Sequence, residues 1–458
     1  MQKLPGPLYL SRPPQGLQGS LSVPGDKSIS HRALMIASLT AGRTNIYGVL
    51  EGEDVMNTAD AMRAMGVSLN RFEHSMHGNL WEVDGLGVGG LAEPSDVLDM
   101  GNSGTGARLI AAILASNKFV SVLTGDVSLR ARPMNRVIDP LCQNGAQFKS
   151  PEGVGFPLIV LGTGEPLPIV YECPVASAQV KSAILLAGLH SRGVTEVYEP
   201  IATRDHTERM LKYFGANLQT RSVPGKPGAV HITLEGPSEL KPCDIIVPGD
   251  PSSAAFLIVA SLLCDGSNLT IYNVGLNSYR VGLYDVLKEM GAKLDIKNLR
   301  LEGGEEVGDI SVKYSKLKGV TVAAEFAPSM IDEYPILAVA AASADGDTRM
   351  EGLGELRVKE SDRFSAIVEG LNACGVRTSV DQDTLIVHGQ GGFIAGDAVI
   401  DVHLDHRMAM SFLVLGLIAS KNIAIDDGSA INTSYPGFIA DMEALGVISS
   451  IESNLFNG

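Results

Sequence analysis

The stretch Asp60-Ala-Met-Arg-Ala-Met-Gly66-Val67 decides how the rest of the chain divides. Its apolar residues fall at helical spacing, a glycine stops the run, and alternating residues follow. It predicts a helix ending in a C′ glycine before a strand. The phrase returns as Val137–Ala146 (VIDPLCQNGA), Glu208–Ala216 (ERMLKYFGA), Leu283–Ala292 (LYDVLKEMGA), Val368–Val376 (VEGLNACGV) and Ala440–Val447 (ADMEALGV). The pivotal glycines are Gly66, Gly145, Gly215, Gly291, Gly375 and Gly446, spaced at close to one sixth of the 458 residues. A single helix ending of this kind is common, whereas a near-constant period marks an internal repeat.

A second phrase accompanies the first: a small-residue helix, a turn, then a β-branched strand. Met35–Val49, Leu185–Pro200, Ile258–Val274 and Leu337–Leu353 all carry it. Each repeat therefore reads β-α-β-α-β-β, an α/β architecture. A coarser repeat overlies these, because Val23-Pro-Gly-Asp-Lys-Ser28 returns half a chain later as Val247-Pro-Gly-Asp-Pro-Ser252. Three repeats per half follow, with the two Pro-Gly-Asp segments as hinge candidates.

Length and composition permit two domains with ample cores and no staple. Cys142, Cys173, Cys243, Cys264 and Cys374 are scattered, without metal-ligand spacing, and fit reduced thiols in a cytoplasmic protein. The proline-broken N-terminal stretch lacks a signal-peptide core, and no apolar run is long enough for a membrane span. A net charge of -16 disfavours nucleic acid and anionic membrane as partners. An anionic ligand must therefore meet a local cluster of cations.

Such clusters gather where the first helix of each repeat should start: PGDKSISHR from Pro24, GNSGTGAR from Gly101, ASAQVKS from Ala176, PGDPSSA from Pro248, PSMIDEYP from Pro328 and LDHRMAM from Leu404. Helix starts offer unpaired N–H groups and a positive dipole end to anions. Ordinary N-capping accounts for the Ser, Asp and Asn residues taken singly. It does not account for Lys27, Arg32 or Arg407, since a cation in a first turn opposes the dipole. Gly101–Arg108 is neither a Walker nor a Rossmann loop, yet its glycines permit close backbone approach to a small ligand. In Arg357-Val-Lys-Glu-Ser-Asp-Arg363, Lys359 and Arg363 are expected to share a helical face beside Glu360, grouping cations with a proton-transfer carboxylate.

GNSGTGARL and RVKESDRF resemble the signature segments of the 5-enolpyruvylshikimate-3-phosphate synthase family of enolpyruvyl transferases. PGDKSISHR, SLRARPMNR, SAQVKSA, TRDHTERML, SMIDEYPILA and LDHRMAMSF fit the family's order across nearly the whole chain. The resemblance implies two domains of three βαβαββ units each, with helices enclosed by sheets and an active site in the interdomain cleft. One domain would be residues 25–247, the other residues 1–24 with 248–458. The implied reaction moves the enolpyruvyl group of phosphoenolpyruvate to the 5-hydroxyl of shikimate 3-phosphate, without metal or organic cofactor, in a monomer.

By the same resemblance, Glu360, Asp332 and Lys27 would carry the proton transfers and stabilise charge; without the resemblance, Asp332 in SMIDEYP reads as a helix cap. Phosphoenolpyruvate would meet Lys27, Asn102, Gly104, Thr105, Arg132 and Gln179, with Arg363 and Arg407 on its carboxylate. Shikimate 3-phosphate would meet Lys27, Ser28, Arg32, Ser177, Gln179, Arg204, Asp332 and Lys359. His31, His206 and His406 have no ligand spacing and read as structural. Gly104 lies where the inhibitor glyphosate would sit, which implies sensitivity. Two departures resemble a branch that includes glyphosate-tolerant enzymes: Ser177-Ala178 lacks a second serine, and Asn432–Pro436 lacks a lysine. The alternatives are a UDP-N-acetylglucosamine enolpyruvyl transferase, an RNA-end-processing protein on a related fold, or a non-catalytic anion binder.

Overall fold

The computed structural model describes residues 7–74, 78–151, 155–392 and 394–451. Its strands form six sheets of four. In each, the pair at one edge is parallel and the pair beside it antiparallel, so one sheet has been built six times.

Each repeat's first helix is buried along most of its residues. These are Lys27–Ser38, Gly104–Ala115, Ala178–Gly188, Pro251–Leu263, Tyr334–Ser343 and His406–Gly416. All thirteen residues of Pro251–Leu263 are buried. Second helices such as His206–Tyr213 and Gly282–Glu289 are amphipathic and keep an outer face. They end as the opening motif predicts, with the six pivotal glycines at φ between 83° and 99°. In five of them the residue after the glycine donates its amide back five positions, as Val67 does to Met62 O at 3.2 Å. That bond is the Schellman closure, which satisfies a carbonyl the helix end leaves open. The exception is Ala146, whose amide goes to Asn144 Oδ1 at 2.9 Å.

The chain divides into two compact units, each with its own apolar core. The Lys27 unit comprises Gly25–Pro248 and Leu301–Glu305. The Arg363 unit comprises the chain through Pro24, Gly249–Arg300 and Glu306 onward. The Leu301–Glu305 excursion, the tip of the hairpin between Lys293–Glu302 and Glu305–Lys313, was not visible in the repeat pattern.

Crossing at the two Pro-Gly-Asp segments also exchanges strands. Gln18–Ser22 precedes the Lys27 helix but pairs with Asn268–Gly275 in the Arg363 unit. Ile245–Ile246 precedes the Pro251 helix but pairs with Gly42–Tyr47 in the Lys27 unit. Leu8–Ser11 lies between Ile423–Ile425 and Ile448–Ile451, so the first strand completes the last sheet. Among the described residues no helix is long and apolar enough to cross a membrane.

Candidate active site

Five of the six first helices begin at a capping Asp or Ser: Asp26, Ser103, Ser177, Asp250 and Asp405 each accept an amide from the first turn. The caps use one or two of the amides that a helix start leaves unpaired, so the rest stay available.

In the Lys27 unit, Lys27 is the first residue of its helix, and its ammonium pairs with Asp54 at 3.0 Å. Half-buried Ser28 follows, and its carbonyl accepts from Arg32 at 2.9 Å. Arg32 lies deeper than a first-turn cation would. It is buried and donates to Thr207 Oγ1 at 2.7 Å and Ser182 Oγ at 2.9 Å, joining three helices.

Around Gly104 the groups interlock. Arg132 donates to Asn102 Oδ1, and Asn102 donates to Asp126 at 2.8 Å. Gln179 donates to Thr105 Oγ1 at 3.0 Å, linking the starts of two helices. A Cβ on Gly104 would lie 2.9 Å from guanidinium nitrogens of both Arg108 and Arg132. Glycine at that position is what lets the two arginines crowd the helix start. Ser177 caps the Ala178 helix, and half-buried Arg204 sits in the loop before the His206 helix.

The Arg363 unit is more heavily paired. Arg363 is 0% exposed and meets Glu360 at 2.6 Å, Asp405 at 2.7 Å and Asp332 at 3.2 Å. Burial opposes its charge, but Asp405, then Glu360 and Asp332, raise its pKa above the ordinary value. Lys359 reaches Asp332 at 3.7 Å. Arg407 meets Glu333 at 3.4 Å and donates to the Asp332 carbonyl at 3.3 Å.

Two expectations are corrected here. Lys359 and Arg363 do not share a helical face: Gly354–Val358 is a 3₁₀ turn, Lys359 has φ -84° and ψ -149°, and the helix begins only at Arg363 behind its cap, Asp362. They converge because both reach Asp332. Nor is Asp332 a cap. The residue before the Tyr334 helix is Glu333, which makes no side-chain capping bond, and Asp332 is held by the two cations.

The three histidines are held by neighbours. His31 Nδ1 lies 2.8 Å from Thr58 Oγ1, His206 Nδ1 2.7 Å from Glu305, and His406 Nδ1 3.3 Å from Thr433 Oγ1. Burial, then the charges of Lys27 and Arg32, push the His31 pKa down to about 3, so its ring is neutral. Among the described residues no cluster of His, Cys, Asp and Glu could hold a metal.

A family model described as EPSP synthase (3-phosphoshikimate 1-carboxyvinyltransferase) matches residues 11–442. The chain belongs to the EPSP synthase family. A 3-phosphoshikimate 1-carboxyvinyltransferase of Rhodospirillum rubrum is 58% identical over 435 residues, covering 95% of this chain and 96% of that one. Its counterpart in Gluconobacter oxydans is 57% identical over 440 residues, 96% and 98% of the two chains. The solved EPSP synthase of Acinetobacter baumannii superposes with a TM-score of 0.84 at 41% identity, over 97% of this chain and all of that one. The enolpyruvyl transferase NikO of Streptomyces tendae, at 19% identity and TM-score 0.76 over 98% of this chain and 100% of that one, shares the fold. The family fold of two βαβαββ triplets is thus the one observed, and membership selects the shikimate reaction from the alternatives.

Sequence reasoning passed over several residues that hold EPSP synthase site candidates in place. Asp54, Asp126, Glu333 and Asp405 are the acids that fix Lys27, Asn102, Arg407 and Arg363. Of these, Glu333 and Asp405 stood inside quoted motifs, Glu333 next to Asp332 and Asp405 two residues before Arg407, and nearness in sequence was their only signal. Lys181 was also missed: it is 1% exposed and paired with Glu199 at 2.7 Å and Glu208 at 2.9 Å. The departure at Asn432–Pro436 is a structural turn, where buried Tyr435 donates to Asp441 at 2.7 Å.

Proposed function

We propose that the chain transfers the enolpyruvyl group of phosphoenolpyruvate to the 5-hydroxyl of shikimate 3-phosphate, using the residues gathered at its helix starts. The observation that carries this reading is the convergence of Lys359, Glu360 and Arg363 with Asp332, segments well separated in sequence that supply acids and cations together.

The methylene carbon of phosphoenolpyruvate gains a proton while the 5-hydroxyl loses one and its oxygen bonds to C2. The tetrahedral adduct then expels phosphate as the new methyl group gives back a proton. Glu360 and Asp332 are the carboxylates for these transfers, and Lys27 stabilises the developing charge and relays a proton. Arg132, Gln179 and Lys27 hold the phosphate of phosphoenolpyruvate beside Asn102, Gly104 and Thr105, and Arg363 and Arg407 hold its carboxylate. Ser28, Arg32, Ser177, Arg204, Asp332 and Lys359 take shikimate 3-phosphate, with Lys27 and Gln179 shared between the substrates. The protein works as a monomer in the cytoplasm.

Phosphate release on mixing the full chain with both substrates tests the reaction. The reading predicts steady release that requires both substrates, and release from phosphoenolpyruvate without shikimate 3-phosphate would overturn it.

A further inference from the structure

The second Pro-Gly-Asp motif, in PGDPSSA, has no task in the reading above. In the half-chain repeat Pro251 stands where Lys27 stands, and Ser252 where Ser28 stands. The Pro251 helix start therefore has no lysine, and a cation from elsewhere in the unit meets it: buried Arg280 donates to Asp250 Oδ1 at 3.1 Å and to Ser252 Oγ at 2.9 Å. With its oxygen engaged by Arg280, the Ser252 hydroxyl proton points to Glu333 Oε1. The same carboxylate oxygen receives the Arg407 guanidinium at 3.4 Å. Glu333 is 3% exposed, and its other oxygen makes no hydrogen bond in the structure. A buried carboxylate of this kind is oriented only by the donors on its one engaged oxygen.

We propose that Glu333 is a positioning residue for Arg407, itself aimed by Ser252 and Arg280, so that the second Pro-Gly-Asp motif serves phosphoenolpyruvate without touching it. The proposal rests on the assignment of Arg407 to the phosphoenolpyruvate carboxylate. Each link has one direction of donation: Arg280 to Ser252, Ser252 to Glu333, Arg407 to Glu333. Losing the Glu333 charge frees the Arg407 fork to turn away from a bidentate pose, and losing the Ser252 hydroxyl leaves the carboxylate free to swing.

Steady-state kinetics on full-length Glu333→Gln, Ser252→Ala, the double variant and Arg407→Lys test the relay, each with its melting temperature. Glu333→Gln is expected to raise KM for phosphoenolpyruvate about tenfold. Ser252→Ala should raise it about threefold, the size of one lost hydrogen bond. The double variant should match Glu333→Gln alone, because both act through one carboxylate. KM for shikimate 3-phosphate should stay unchanged throughout. Equal rises in both KM values, or a lower melting temperature with both KM values intact, would mean a merely structural cluster and overturn the proposal. An impaired Arg407→Lys beside an unimpaired Glu333→Gln sinks the relay alone. An Arg407→Lys with unchanged phosphoenolpyruvate KM sinks the assignment beneath it.

Discussion

The helix starts of the two units solve opposite electrostatic problems. In the Lys27 unit, Lys27, Arg108, Arg132 and Gln179 sit among neutral neighbours such as Thr105, Asn102 and Ser128, with Asp54 and Asp126 as nearby acids. In the Arg363 unit, Lys359, Arg363 and Arg407 face Asp332, Glu333, Glu360 and Asp405. The first arrangement leaves local positive charge at the helix starts of a protein whose overall charge is -16. The second balances its cations with carboxylates of the same unit, which fixes geometry. Cations with few acids gather in one unit, and cations paired with carboxylates in the other.

The sharpest way to break this contrast is through turnover. Glu360→Gln should lower kcat by about 100-fold or more while both KM values change little, since a positioned acid-base group acts in the transition state. A Lys27→Met variant should instead lose phosphoenolpyruvate affinity as well as kcat. Rapid-quench and steady-state assays distinguish the two, and a Glu360→Gln enzyme with near-normal kcat would remove it from the proton-transfer role.

Stability should follow the same division. Arg363→Met strands three carboxylates around a fully buried site, and breaking a buried ion cluster on one side costs about 3–5 kcal/mol. Arg132→Met removes a part-buried side chain that donates to neutral oxygens, and should cost about 1 kcal/mol. Urea unfolding of both measures the gap, and equal losses would show that the two units are not built differently.

What could be read from the sequence follows the same line. The repeats were legible because a C′ glycine has a local cause, and six local signals need no knowledge of the fold. The cationic helix starts were legible because Lys27 and Arg407 contradict the dipole rule. The partners of those cations were not, because Asp54, Asp126, Glu333 and Asp405 look like ordinary caps or surface acids until folding brings them to their bases. Lys181 in SAQVKS shows the limit: nothing in the chain indicates that it is buried between Glu199 and Glu208, strand and helix residues 18 and 27 positions on. The Lys359–Arg363 error has the same origin, since a helical register was assumed where a 3₁₀ turn and a break bring the two cations to one carboxylate.

A smaller effect tests how tightly the Lys27 unit is tuned. Gly104→Ala places a methyl group where guanidinium nitrogens of Arg108 and Arg132 lie at 2.9 Å. Both are the far ends of flexible side chains, so the helix start survives and the arginines shift. Glyphosate inhibition should weaken about tenfold or more, with a lesser rise in KM for phosphoenolpyruvate, because one displaced charge-assisted contact is of that order. Inhibition curves that coincide for the two proteins would remove Gly104 from the inhibitor's subsite.

A pH dependence is expected in the same unit. His31 has a folded-state pKa of about 3 against an unfolded value of about 6.5. The folded protein therefore binds the proton more weakly than the unfolded chain. The stability linked to the neutral ring is fully present above about pH 6.5 and is lost as pH falls from there toward 3. His31→Asn, which keeps a polar partner for Thr58 and cannot take up a proton, should flatten the acid side of the stability curve by a few kcal/mol at most. It should leave stability near pH 8 lower by about 1–2 kcal/mol, the cost of a smaller side chain in a packed site. Urea titrations of both proteins at pH 8 and pH 5 give the difference directly. An unchanged slope between those pH values would mean that the buried ring between Lys27 and Arg32 takes up its proton in the folded state as readily as in the unfolded one.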